Sequence, residues 1–317
     1  MNVLGLLMLL GAGLVLFVLA VICVTAWTLT HPARRSYAWA VARGVPGDPS
    51  EVRLPGMGRV EFSQWFLRSR GRDLPVWDIA GFATAGPVAI VTHGWADSRV
   101  VVLSRLPALL PHCRRVVVWD LPGHGDSPGC CTLGTREVED LERLLEEVGT
   151  GAPVILYGSS LGAGLSIVVA AAAGAASPIV GVIAEAPYRV PRVPAERVLA
   201  ARGLPWRWNL PPAMAGLGLW LGHGLSWAGR GSAGGFDRAA HAANLRVPLL
   251  VLHGTEDEVC PVQDGRAIAA AVPAGRGRIV EIAGAAHNNL WTDERFIPVC
   301  EEAVAEFVKS TVLKGGA

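Results

Sequence analysis

A chain of 317 residues, 51% of them apolar and only 17% charged, can bury the core of one large α/β domain or of two small ones. A formal net charge of +1 with no basic stripe argues against a nucleic-acid partner. Cys23, Cys113, Cys130, Cys131, Cys260 and Cys300 form no C-x-x-C pair and no ligand spacing with histidine, so neither a disulfide framework nor a metal site is expected. Cys113, Cys260 and Cys300 read as small buried hydrophobes.

Part of the apolar excess lies between Met1 and Ala33, which holds no Asp, Glu, Lys or Arg. Val3 to Trp27 is interrupted only by Thr25 and three glycines, and as a helix it reaches about 37 Å, enough to cross a bilayer with some tilt. Residues 1–30 are expected to be an uncleaved transmembrane anchor. The competing reading is a cleaved signal peptide, against which stand an n-region without Lys or Arg and an apolar run longer than an ordinary h-region. Arg34, Arg35 and Arg43 follow the run, which favours a single pass with the large domain on the cytoplasmic side.

Residues 31–50 read as a linker, and residues 51–317 as the main domain. Val52 to Phe62, Trp65 to Arg68 and Val76 to Ile79 are expected as short strands of an antiparallel edge, punctuated by Gly71 and Pro75. Val88 to Trp95 is a continuous apolar run ending in a glycine loop, as in a buried parallel strand, and Arg115 to Asp120 repeats the design. Glu137 to Val148 is an amphipathic helix, with Val138, Leu141, Leu144, Leu145 and Val148 on one face. Further strands are expected at Pro153 to Gly158, Ile179 to Ala184, Pro248 to His253 and Gly277 to Ile282. Helices are expected at Gly162 to Ala173, Ala267 to Ala271 and Glu301 to Leu313. This alternation predicts an α/β fold, a mostly parallel central sheet covered by helices on both faces.

Within it, Gly158-Ser159-Ser160-Leu161-Gly162 is a G-x-S-x-G match between a strand and a helix. A serine on so tight a turn is pushed out of the sheet, the glycines let the backbone fold back, and the Leu161 amide is aimed at a carbonyl that Ser160 would attack. With 38 glycines in the chain such a match also arises by chance, so its flanking strand and helix carry the weight.

Between Pro187 and Arg246 the alternation stops. Trp206, Trp208, Trp220 and Trp227 cluster there, and no charge appears from Asn209 to Gly229. Ala213 to Ala228 is short for a second span, and one crossing there would put Ser160 and His287 on opposite sides of the membrane. Residues 187–246 therefore read as a helical cap over the sheet. An apolar underside, its tryptophans walling an acyl site, is one expectation; a part resting on the lipid surface is another.

Five stretches now resemble the α/β-hydrolase superfamily, over roughly Glu51 to Leu313. They are His93-Gly94-Trp95, Trp119-Asp120-Leu121-Pro122-Gly123-His124-Gly125-Asp126-Ser127, the serine turn, His253-Gly254-Thr255-Glu256-Asp257 running to Pro261, and Gly284-Ala285-Ala286-His287. Their order, Ser then Asp then His, is the one that superfamily uses. By layout the chain is most similar to its membrane-tethered α/β-hydrolase-domain proteins and related bacterial esterases.

The resemblance implies Ser160 as nucleophile, His287 as its base and Asp257 as the acid that orients the imidazole, with Glu185 as a rival acid. It implies an oxyanion hole from the amides of Leu161 and Trp95. His93, His124 and His253 are expected to be structural, and Cys260 stands where valine is common. The implied activity is hydrolysis of a carboxylic ester through an acyl-enzyme, with no metal or organic cofactor, and the oily cap and anchor point to an apolar acyl substrate, lipid-derived esters among them. The alternatives are a peptidase, a thioesterase, an acyltransferase, or a non-catalytic membrane-tethered binding module on the same fold.

Overall fold

A computed structural model describes residues 2–149, 151–225 and 236–315. Trp227, one of the four cap tryptophans, lies outside the described residues. Helices α1 (Val3–Thr30), α2 (Tyr37–Val41), α3 (Leu106–Leu109), α4 (Glu137–Val148), α5 (Leu161–Ala172), α6 (Arg192–Ala201), α7 (Trp206–Trp220), α8 (Arg238–Ala242), α9 (Val262–Ala271) and α10 (Ile297–Gly315) surround one sheet. Its strands are β1 (Phe62–Ser69), β2 (Arg72–Ala80), β3 (Val88–Thr92), β4 (Arg115–Trp119), β5 (Val154–Ser159), β6 (Ile179–Glu185), β7 (Leu249–Gly254) and β8 (Gly277–Ile282).

The strand order is β1-β2-β4-β3-β5-β6-β7-β8. β1 and β2 pair antiparallel, β2 meets β4 antiparallel, and every other pairing is parallel. Parallel strands need both faces covered, which is why Val88-Ala89-Ile90-Val91-Thr92 is buried throughout. The pleat sends alternate residues to opposite cores. Ile90, Val117, Leu156 and Val251 join Leu141 and Leu144 of α4 and Leu165 of α5 on one face. Ala89, Val91, Val118 and Ile183 join Leu106 and Leu109 of α3 and Val304 and Phe307 of α10 on the other.

One expected strand is not there. Residues 52–61 form no strand: Pro55 lacks a donor, Gly56 turns at φ 74°, and Met57 N bonds back to Leu54 O at 3.1 Å. Only Phe62 of that stretch enters β1. The late helices start earlier than their apolar pattern suggests, α9 at Val262 and α10 at Ile297, because a proline at Pro261 or Pro298 suits a helix start.

Among the described residues the segment between β6 and β7 carries α6, α7 and α8, and residues 31–51 are held against the domain. Arg34 Nη1 donates to Ser127 O at 2.9 Å, Arg35 pairs with Asp97, and Ala40 is fully buried. α1 is long and apolar enough to cross a membrane, and most of it is exposed. Its last turns are different. Thr25, Leu29 and Thr30 are buried, Asn209 Nδ2 of α7 donates to Thr25 Oγ1 at 2.7 Å, and Cys131 N donates to Thr30 O at 2.8 Å.

Candidate active site

Ser160 sits between the end of β5 and the start of α5, with φ 49° and ψ −106°. A non-glycine residue at positive φ is strained, and here packing on both sides holds it. A Cβ on Gly158 would collide with the carbonyl of Gly162, and one on Gly162 with the carbonyl of Thr92. Both glycines of the motif are thus required by close backbone approach. Ser160 N donates to Glu185 O at 2.8 Å, and Gly164 N donates to Ser160 O at 3.2 Å, opening the helix.

Asp257 lies on the loop after β7 and His287 on the loop after β8, at the same edge of the sheet as Ser160. Glu256 N donates to Ala285 O at 2.9 Å and Gly284 N to Thr255 Oγ1 at 2.9 Å, which fixes the two loops to each other. Asp257 Oδ1 accepts from the amides of Val259 at 2.8 Å and Cys260 at 2.6 Å, leaving Oδ2 to take His287 Nδ1 at 2.7 Å. Burial opposes the carboxylate charge, but bonds from His253, His287 and the Cys260 amide outweigh it and hold Asp257 well below the usual carboxylate range. Burial likewise opposes an imidazolium at His287, while the bonded Asp257 carboxylate favours it, and its pKa is raised above the ordinary histidine value.

The other link of the implied Ser160–His287–Asp257 set is open. Ser160 Oγ has Cys260 Sγ at 3.9 Å, and no hydrogen bond joins it to His287 among the described residues. Cys260 is fully buried and burial raises its thiol pKa, so the sulfur stays protonated at neutral pH. Asp257, Cys260 and His287 bring ligand-type atoms within 4.8 Å of one another. Two of those atoms, Asp257 Oδ2 and His287 Nδ1, are bonded to each other at 2.7 Å.

Glu185 is engaged elsewhere. Its carboxylate accepts from Arg105 Nη2 at 2.6 Å, Tyr157 OH at 2.6 Å and Trp291 Nε1 at 2.9 Å, in a buried network beneath the site. His93 is buried between Gly94 O at 2.7 Å and the Leu121 amide at 2.9 Å, and burial lowers its pKa to about 4. His124, bonded to Pro122 O at 3.0 Å, is lowered by burial to about 3. His253 bonds Cys260 O at 2.9 Å. These three histidines brace the loops around the site.

A pocket of about 220 Å³ opens over Ser160 and His287. Gly94, Trp95, Ala96 and Asp97 line one side with Leu161, and α6 lines another with Pro194, Ala195 and Val198. Leu161 N, at the first residue of α5, has no preceding helical turn to donate to, and Trp95 N donates to no protein acceptor among the described residues. Both amides are free for a ligand. Among the described residues Trp206, Trp208 and Trp220 do not line the pocket, and α6 supplies that side of the wall. Leu29 of α1 and the Arg35–Asp97 pair also line the pocket, and nothing in the sequence pattern marks them.

The family model for the alpha/beta hydrolase family matches residues 89–299. No curated protein matches the sequence. Among solved structures, an esterase of Pyrococcus furiosus, Pf2001, superposes with a TM-score of 0.64 at 18% identity, covering 90% of this chain and 98% of its own. The Exiguobacterium antarcticum esterase EaEST gives 0.56 at 19% identity over 80% and 100%, and a thermophilic esterase from Thermogutta terrifontis, in a malate-bound structure, gives 0.54 at 19% over 79% and 99%.

Proposed function

The chain belongs to the alpha/beta hydrolase family, and from that footing we propose that it is a membrane-anchored serine esterase acting on apolar acyl esters through an acyl-enzyme. The observation that carries the reading is the His287 Nδ1 to Asp257 Oδ2 bond of 2.7 Å beside a strained Ser160 at the floor of a pocket. A hydroxyl is a weak nucleophile at its free pKa and needs an adjacent base. His287 takes the Ser160 proton as Oγ attacks the ester carbonyl. Asp257 holds Nδ1 protonated, so that Nε2 faces the serine, and stabilises the imidazolium. Catalytic hydrogen bonds are commonly long in a ligand-free site and tighten with substrate, which accommodates the open Ser160–His287 contact.

The amides of Leu161 and Trp95 receive the developing oxyanion, each worth roughly 2.7–4 kcal/mol of transition-state stabilisation. The imidazolium then protonates the leaving alcohol, and water activated by His287 releases the acid. Similarity to esterases supports an ester as substrate. The length and composition of α1 support a membrane anchor, and Arg34, Arg35 and Arg43 after it support a cytoplasmic domain.

The test is fluorophosphonate labelling of the wild type and of Ser160→Ala, with turnover of p-nitrophenyl esters of increasing length. The reading expects label and turnover in the wild type alone. Undiminished turnover by Ser160→Ala would refute it.

A further inference from the structure

We infer that the pocket is fed from the bilayer, with the last turn of α1 as one of its walls and the exposed face of α7 resting in the lipid surface, so that the substrates are membrane-resident acyl lipids whose ester group lies at the headgroup boundary. This deepens, and rests on, the ester-hydrolase reading above.

The helix that reads as the anchor is part of the pocket. Leu29 is buried and lines the cavity over Ser160, and Trp95 Nε1 donates to Leu29 O at 2.9 Å. At about 1.5 Å per residue, Val3 to Leu29 spans about 39 Å, so a helix centred in a bilayer whose hydrocarbon core is about 30 Å thick places Leu29 in the headgroup layer, about 5 Å outside the hydrocarbon boundary. The site is therefore held at the membrane surface by geometry. Glycerolipid ester carbonyls sit at that boundary, between the chains and the headgroups.

The second observation is the outer face of α7. Leu210, Met214 and Leu217 are buried toward the domain, while Trp208, Pro212, Gly216, Leu219 and Trp220 face outward along one side. That outward row carries no charge, and α7 is bonded to α1 through Asn209 and Thr25. An apolar stripe continuous with a membrane helix has the lipid surface as its occupant. Aromatic rings at its ends, with Arg207 beside Trp206 and Arg136 over Trp220 at 5.3 Å, match the tryptophan and arginine girdle of an interface.

The experiment reconstitutes the full-length protein into phosphatidylcholine vesicles with a fluorogenic long-chain diacylglycerol ester, placed either in the same vesicles or in separate ones, and measures p-nitrophenyl acetate turnover in parallel. Turnover in shared vesicles at least tenfold faster than in separate ones is expected. The variant with Trp208→Ala and Trp220→Ala should lose several-fold in shared-vesicle turnover and keep its p-nitrophenyl acetate rate. Equal rates in shared and separate vesicles, or acetate turnover with no lipid turnover, would overturn lateral entry while leaving the esterase reading intact. No turnover of either ester would sink the esterase reading. The membrane contact then has its own readout: an environment-sensitive dye at Leu219→Cys, with Cys23 and Cys130 changed to serine, should shift to the blue on reconstitution, and an unshifted spectrum would overturn it.

Discussion

The indole nitrogen of Trp95 donates to the carbonyl of Leu29 across 2.9 Å, joining the loop that offers one free amide to the site with the last turn of α1. Removing that turn also removes a buried Leu29 and leaves Asn209 without its Thr25 partner, effects of about 1.5–3 and 1–3 kcal/mol. A truncation that starts at Val21 should therefore stay folded and hydrolyse soluble esters. One that starts at His31 should melt several degrees lower and lose kcat/KM on the same esters. Calorimetry and p-nitrophenyl acetate kinetics on the two forms check this. Equal behaviour of both would mean that the turn is dispensable.

Asp257 sets the pH response. The proposed mechanism needs neutral His287, whose pKa is raised, so kcat/KM should climb with pH through an inflection above 6.5. In Asp257→Asn the inflection should move down and kcat should fall by about four orders of magnitude, since the tautomer is no longer held. Stability carries the opposite signs. The lowered Asp257 contributes above 3.8 and loses its share as pH falls through its native value, while the raised His287 contributes below 6.5 and loses its share as pH rises through its own. The wild-type advantage in melting temperature over Asp257→Asn should be largest between those values. A difference independent of pH would contradict the linkage.

Cys260 fills the space beside Ser160 and has no place in the proposed proton path. Cys260→Val preserves its bulk and should hold kcat/KM within a few-fold. Methyl methanethiosulfonate should inactivate the wild type slowly, after the exposed Cys23 has reacted, and leave Cys260→Val unaffected. Loss of activity in Cys260→Val with intact fluorophosphonate labelling would bring the thiol into the proton transfer.

The sheet was legible because each buried strand is a short apolar run with glycine or a carboxylate at its end. Val88–Thr92 and Val154–Ser159 need no partner to be recognised. Residues 52–61 were not, because loose alternation resembles a strand until Pro55 and Gly56 are weighed as breakers. Asp257 and His287 are picked out in the sequence only by the family resemblance, whereas the turn carrying Ser160 announces itself by the close backbone approach at Gly158 and Gly162. The pocket wall does not, since Leu29, Val198 and the Arg35–Asp97 pair arrive from distant segments whose sequences record only their own amphipathic faces. Tryptophan content is a poor guide to the lining for a related reason: it reports apolar area without saying which side of α7 is buried against α1 and α6.

Acyl-chain preference should follow from that wall. Ala195 and Val198 of α6 face the cavity, whereas Trp220 is half exposed and covers Arg136. A methylene in an apolar pocket is worth about 1–3 kcal/mol, or roughly 10–200-fold in rate. Val198→Phe fills several methylenes of space at the side of the cavity, so kcat/KM for long p-nitrophenyl esters should fall by at least tenfold while the acetate is little changed. Trp220→Ala should leave the ratio of long to short esters in detergent solution as it is in the wild type. The helix α6 is tied to the loop of Asp257 by Arg197 Nη1, which donates to Asp257 O at 3.3 Å, so the melting temperature of Val198→Phe must be measured alongside to separate a filled pocket from a displaced helix. A selectivity change in Trp220→Ala with none in Val198→Phe would move the acyl site from α6 to α7.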